Sequence, residues 1–146
     1  MIYPFQPMVL NFEAFQAALH QLDQQITLVY LIGPNGTARE KDLACLDEVH
    51  RTFYRSAVQA FVIDLRDSAH WPELVNALTA VNANLPAAAF EARDLPKLKK
   101  FFDRLDWRPQ QLFLIDPSRT LPRPVQFQSC RELRQEVRAV LKKQSR

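Results

Sequence analysis

Apolar residues along the chain fall into two alternating rhythms. The first is a stripe at helical spacing: Phe12, Phe15, Leu19 and Leu22; then Leu43, Leu46, Val49 and Phe53, with His50 among them; then Leu98, Phe101, Phe102 and Leu105; and last Leu133, Val137, Val140 and Leu141. Residues so spaced line one face of an α-helix. The second is the short unbroken run: Ile26-Thr27-Leu28-Val29-Tyr30-Leu31-Ile32, residues 58–65, and Leu112-Phe113-Leu114-Ile115. Runs this apolar, rich in β-branched and aromatic residues, suit strands covered on both faces.

The residues between these segments agree with that reading. Asn11 can cap a helix over 12–22, and Thr37 with Glu40 has capping-box form ahead of a helix running to about residue 54. Pro72 suits the first turn of a helix over 73–81, Asp94 can cap one over 95–105, and Ser129 with Glu132 makes a second capping box before the last helix. Gly33-Pro34-Asn35-Gly36 stops the first run, and Asp116-Pro117-Ser118-Arg119 has turn chemistry after the third. Segment 7–10 reads as a short edge strand. Segment 124–128 alternates Val125 and Phe127 with Gln126 and Gln128, and Pro122 and Pro124 place it at an edge. Residues 87–92 stand between a strand and a helical turn, and we take the strand. A strand, a helix and a strand over 26–65 make a parallel pair with a right-handed crossover. The whole is an α/β domain spanning 1–146, with no repeat or linker.

Composition narrows the class. The chain has 146 residues, 47% hydrophobic and 24% charged, with 2 Gly and 10 Pro, which is globular and leaves little glycine for a nucleotide-binding loop. Cys45 and Cys130 lie far apart, and we read them as free thiols in a reducing compartment. The first residues lack the pattern of a signal peptide, and no apolar run approaches the ~20 residues of a membrane span, so a cytoplasmic setting is expected. The net charge of +3 gathers at Lys97, Lys99 and Lys100 and at the C-terminal end. These groups read as solvated helix faces, with nucleic-acid or anionic-ligand binding through the basic helix and tail as a minor alternative.

Candidate chemistry is sparse. His20, His50 and His70 have no partners at metal-binding spacing, and no cofactor or metal site is expected. Gly33-Pro34-Asn35-Gly36-Thr37 lacks the end of a phosphate-binding loop. Asp64, Asp67 and Asp116 lie at or just past predicted strand ends, where Mg²⁺ binding competes with simple strand termination. Cys130 sits at a helix start beside Arg131, a setting that can lower a thiol pKa, and Cys45 reads as structural.

Three segments resemble the thioredoxin-like superfamily: Val9-Leu10-Asn11-Phe12 and Phe15 before the 26–32 strand, Leu46-Asp47-Glu48 in the following helix, and Pro109 ahead of Gln110-Gln111-Leu112-Phe113-Leu114-Ile115-Asp116. Segment 82–106 resembles the insertion of TlpA-like and peroxiredoxin-like members. The resemblance implies a thioredoxin-like fold: a central mixed sheet of four to five strands flanked by helices, closed by a C-terminal antiparallel hairpin and a helix. The terminal hairpin argues against a CheY-like or flavodoxin-like sheet. It also implies a cis bond at Arg108-Pro109.

The chain departs from the superfamily at its active site. Gly36-Thr37-Ala38-Arg39 stands where redox-active members carry Cys-X-X-Cys, and Tyr30 stands where they keep a buried acid. The expectation is therefore a redox-inactive, non-catalytic module that binds another protein as a scaffold, chaperone or assembly factor. Pro34, Asn35, Trp71, Trp107, Arg108 and Pro109 would cluster at one end of the sheet as its contact face. The alternative is a single-cysteine thiol oxidoreductase or redox sensor using Cys130. The sequence leaves the oligomeric state open.

Overall fold

Strand β2 (Ile26–Ile32) is buried at every position, and the other elements are arranged around it. The computed structural model describes residues 7–22, 25–102, 109–117, 122–126 and 128–144, the side chains of Tyr54 and Gln144 excepted. Strand β1 is Val9–Leu10, β3 is Val58–Asp64, β4 is Ala87–Phe90, β5 is Gln110–Ile115 and β6 is Arg123–Val125. They form one sheet in the order β1-β4-β3-β2-β5-β6. Strands β1, β4, β3 and β2 run parallel, and β5 and β6 are antiparallel to their neighbours. The sheet has six strands rather than four to five because the two-residue β1 pairs with β4, Val9 opposite Ala89. That pairing also settles residues 87–90 as strand.

The helices are α1 (Phe12–Gln21), α2 (Glu40–Phe53), α3 (Trp71–Ala80), α4 (Leu95–Phe101) and α5 (Cys130–Gln144). Alternation along β2 divides the core between the two faces of the sheet. Ile26, Leu28, Tyr30 and Ile32 pack with α2, α3 and α5, whose buried residues include Leu43, Leu46, Leu74, Leu133 and Val137. Val29 and Leu31 pack with Phe15 of α1 and Leu98 of α4, together with Phe102 and Phe113. Phe15 meets Phe61, Phe90 and Phe101 edge-on, and Phe102 lies 4.5 Å from Phe113 between ring centroids. Each such side chain contributes roughly 1.5–3 kcal/mol by leaving water.

Two predicted caps are replaced by longer-range bonds. Helix α2 starts at Glu40, so the Thr37–Glu40 box does not form; the Thr37 carbonyl instead accepts from Gln110 Nε2 at 3.0 Å, and its hydroxyl oxygen lies 3.3 Å from the same nitrogen. Asp94 does not cap α4. Its Oδ2 accepts from the Phe12 backbone N–H at 2.8 Å, fastening the start of α1 to the start of α4. Asn11 does cap α1, accepting from the Ala14 N–H at 2.7 Å. The end of the predicted 95–105 helix and the Arg108-Pro109 bond lie outside the described residues.

Candidate functional site

The loop that leaves β2 lies on the start of β5. The Gly33 N–H donates to the Pro109 carbonyl at 3.0 Å, and the Gly36 N–H donates to the Gly33 carbonyl at 2.8 Å, closing a turn. A Cβ on Gly36 would stand 2.0 Å from the Pro109 carbonyl oxygen, so glycine is required by close approach of two backbones. Gly36→Ala is expected to force the loop off Pro109 and to cost about 1–3 kcal/mol, the usual range for overpacking, read as a lower urea midpoint. An unchanged midpoint would show that the loop yields freely.

Beneath this loop lies a buried charge network at the end of β3. Arg66 is 5% exposed; its Nε donates to Asp64 Oδ1 at 2.9 Å and its Nη2 to Asp64 Oδ2 at 3.0 Å. Its Nη1 donates to Glu73 Oε2 at 3.0 Å and to the Gly36 carbonyl at 3.4 Å. Glu73 Oε1 accepts from the Ala38 N–H at 3.2 Å. That backbone bond, with Arg66, holds the Glu73 carboxyl below its usual range. The network joins β3, α3 and the entry to α2.

Tyr30 is buried on β2. Its hydroxyl donates to Asp42 Oδ2 at 2.6 Å, and burial first, then the Asp42 bond, pushes its ionisation well above the ordinary tyrosine range. Tyr30, Arg39, Asp42, Gln110 and Gln128 line a cavity of about 270 Å³ beside the loop.

A second cavity, of about 290 Å³, shares Arg39, Asp42 and Gln128 with the first and reaches both cysteines. Cys45 and Cys130 are bonded as a disulfide with Cα atoms 5.4 Å apart, tying α2 to α5. The expectation of free thiols is thereby corrected, and the inference of a reducing compartment drawn from it loses its basis. Cys45 is 6% exposed, whereas Cys130 is half-buried and lies at the first residue of α5. Ser129 caps α5, its Oγ accepting from the Glu132 N–H at 3.3 Å, while Glu132 Oε2 reaches one residue past the cap and accepts from the Gln128 N–H at 2.9 Å. A sulfur at that position meets the positive end of a fifteen-residue helix, which favours a thiolate. On the far side, Glu48 Oε2 lies 3.5 Å from Cys130 Sγ, and Glu48 Oε1 pairs with Arg134.

The expected contact face is only partly assembled. Pro34, Asn35 and Pro109 are exposed around the loop. Trp71 does not join them at the surface: it is 2% exposed and belongs to the core with Leu74 and Leu78. Its burial follows from α3 beginning at Trp71 rather than after Pro72, which places residues 71, 74 and 78 on one helical stripe. Trp107 and Arg108 lie outside the described residues. Asp64 is bound by Arg66, and Asp67 accepts from the Ala69 N–H at 2.9 Å at the start of a helical turn. Among the described residues no group of three His, Cys, Asp or Glu side chains is arranged to hold a metal.

These elements define a thioredoxin-like fold without a Cys-X-X-Cys motif, and solved structures agree. The chain is similar to a thiol:disulfide interchange protein of the thioredoxin family from Chlorobium tepidum TLS, at 15% identity and TM-score 0.66, over 84% of this chain and 83% of that one. It is also similar to the thioredoxin domain of a thiol-disulfide oxidoreductase from Bacteroides vulgatus (12% identity, TM-score 0.65, 84% of each chain). A third is a secreted disulfide oxidoreductase from Mycobacterium tuberculosis (16% identity, TM-score 0.58, 82% of this chain and 85% of that one). Identities this low establish the fold alone. No protein-family model and no curated protein matches the chain. The reading of a redox-inactive, non-catalytic module is overturned by the Cys45–Cys130 bond. Residues 36–39 hold no cysteine, and the two cysteines of the chain are joined elsewhere in the fold.

Proposed function

We propose that the protein is a thiol–disulfide redox protein whose working couple is Cys45 and Cys130. The observation that carries this is the disulfide itself, with one sulfur buried and the other half-buried at a helix start beside a cavity. The single-cysteine reading centred on Cys130 thus becomes a two-cysteine one, with Cys45 as the resolving thiol.

Exchange follows from the difference in access. A thiolate on a partner attacks Cys130 Sγ, the Cys45–Cys130 bond breaks, and its electron pair leaves on the Cys45 sulfur, which takes up a proton. The partner is then joined to Cys130 as a mixed disulfide. A second partner thiolate attacks the partner's own sulfur in that bond and expels Cys130 as thiolate. The partner leaves as a disulfide and this protein is left reduced by two electrons. Run backwards, the same steps reduce a partner disulfide. No cofactor takes part.

Equilibration in graded mixtures of reduced and oxidised glutathione, followed by alkylation and mass measurement, tests the proposal. A single transition releasing both thiols from a chain that keeps its circular-dichroism spectrum is expected. It is lost in both Cys45→Ser and Cys130→Ser. A bond that opens only when the chain unfolds would make it a structural staple and overturn the reading.

A further inference from the structure

We infer that Glu48 holds Cys130 as a thiol in the reduced couple, as its hydrogen-bond acceptor, and that Arg134 positions Glu48 and offsets its charge, so that the pair sets the reactivity of this thiol. The inference rests on the Cys45–Cys130 couple proposed above and names the groups that govern it. Three placements support it. Glu48 Oε2 lies 3.5 Å from Cys130 Sγ, within reach of a hydrogen bond to sulfur. Glu48 Oε1 pairs with Arg134, which fixes the carboxylate from the side away from the sulfur. Arg134 stands one turn beyond Cys130 on α5, so nucleophile and orienting cation ride on one helix while the carboxylate comes from α2. A carboxylate held this close to the sulfur accepts a hydrogen bond from the thiol and opposes its ionisation.

In the oxidised protein Cys130 carries no proton, and the carboxylate touches sulfur without a hydrogen bond. When the bond opens, the new thiol can donate to Glu48 Oε2. On oxidation Cys130 releases its proton to solvent, and its thiolate attacks a disulfide of the oxidant. The oxidant's S–S bond breaks, its electron pair leaving on its second sulfur. Cys45 gives up its proton to solvent and, as thiolate, attacks Cys130 Sγ and expels the first oxidant sulfur; each oxidant sulfur takes up a proton from solvent. Two electrons pass to the oxidant disulfide, which leaves as two thiols.

The charges around the sulfur act in opposite senses. Glu48 disfavours a thiolate, while Arg134 and the start of α5 favour one. Across the cavity stand Lys41 and the Arg39–Asp42 pair, 3.8 Å apart. At 3.5 Å, a unit charge changes a neighbour's ionisation about tenfold even at the dielectric constant of water.

The test is the iodoacetamide rate of Cys130 across a pH series, in the full-length reduced chain, with the site of alkylation assigned by peptide mass spectrometry. Glu48→Gln keeps an acceptor and removes the charge, so the rate near neutral pH is expected to rise about three- to tenfold. Arg134→Ala leaves the carboxylate charge less balanced, so the rate is expected to fall by a similar factor. Glu48→Asp is expected to stay on the wild-type side. Loss of packing alone would move Glu48→Gln and Arg134→Ala in the same direction. Rates moving together, or not at all, would overturn the inference. The glutathione equilibrium of the wild type is read separately, so failure of the couple and failure of the Glu48–Arg134 assignment are distinguishable.

Discussion

Reduction of the Cys45–Cys130 bond is expected to lower the unfolding free energy by up to about 4 kcal/mol, because the bond closes a loop with a sequence separation of 85 residues. A loop that long removes much of the unfolded chain's freedom, and the loss returns when the bond opens. Urea unfolding with and without dithiothreitol measures the effect. Cys130→Ser should reproduce it more cleanly than Cys45→Ser, since Cys45 is in the core and a serine there would bury a hydroxyl. A midpoint unmoved by reduction would mean that the unfolded chain retains the α2–α5 proximity.

This expectation bears on function through a thermodynamic cycle. Whatever free energy the bond adds to the fold, the fold adds to the bond, and each ~1.4 kcal/mol is a tenfold change in the exchange equilibrium. A strongly stabilising bond is therefore a weak oxidant: the oxidised protein holds its disulfide, and the reduced protein is a good donor of electrons. The direction of any partner reaction follows from the size of the urea shift.

Arg66→Ala is expected to destabilise the protein by about 3–5 kcal/mol, the cost of leaving a buried charge without its partner. Arg66 and Asp64 side chains are 1% and 3% exposed, so water cannot replace the lost bonds. Asp64 would keep the Arg66 backbone N–H, 3.0 Å from Oδ1, and lose both guanidinium contacts. The loss also frees the Gly36 carbonyl and Glu73, so the 33–38 loop should exchange its amide hydrogens faster. Chemical denaturation of Arg66→Ala, Asp64→Asn and the double variant checks the coupling: the double should cost less than the sum, because the pair fails together. Additive losses would show that the two groups act separately.

The Glu73 arm of the same network is 47% exposed and contributes a smaller, pH-dependent share. Its folded carboxyl is held below the ordinary glutamate range. Its contribution is therefore present above that range and is lost as pH falls through the lowered value.

Local rules in the sequence were enough to place most elements. Asn11 caps α1, the buried run Ile26–Ile32 is a strand to the residue, and Ser129 caps α5. Those features depend on neighbours within a few residues, where spacing and side-chain chemistry dominate. The same holds for the resemblance to the thioredoxin-like fold, which rests on element order and on Pro109 ahead of β5. It holds as well for the absence of Cys-X-X-Cys at 36–39.

What the sequence could not supply were contacts between elements distant along the chain. Thr37 lost its capping role to Gln110, and Asp94 gave its carboxylate to the first residue of α1, because a partner from a packed neighbour competes with the local one. Trp71 went to the core once α3 began there; its spacing with Leu74 and Leu78 was legible, but Pro72 drew the predicted helix start past it. The largest difference is the sulfur pair. Cys45 and Cys130 each looked isolated, since 85 residues of separation carry no signal of contact. They meet because α2 and α5 pack on the same face of the sheet, in one core cluster that holds Cys45 and has Cys130 packed against it. The sequence by itself determined the elements and their buried faces; the packing of those faces against one sheet decided that this chain has a disulfide.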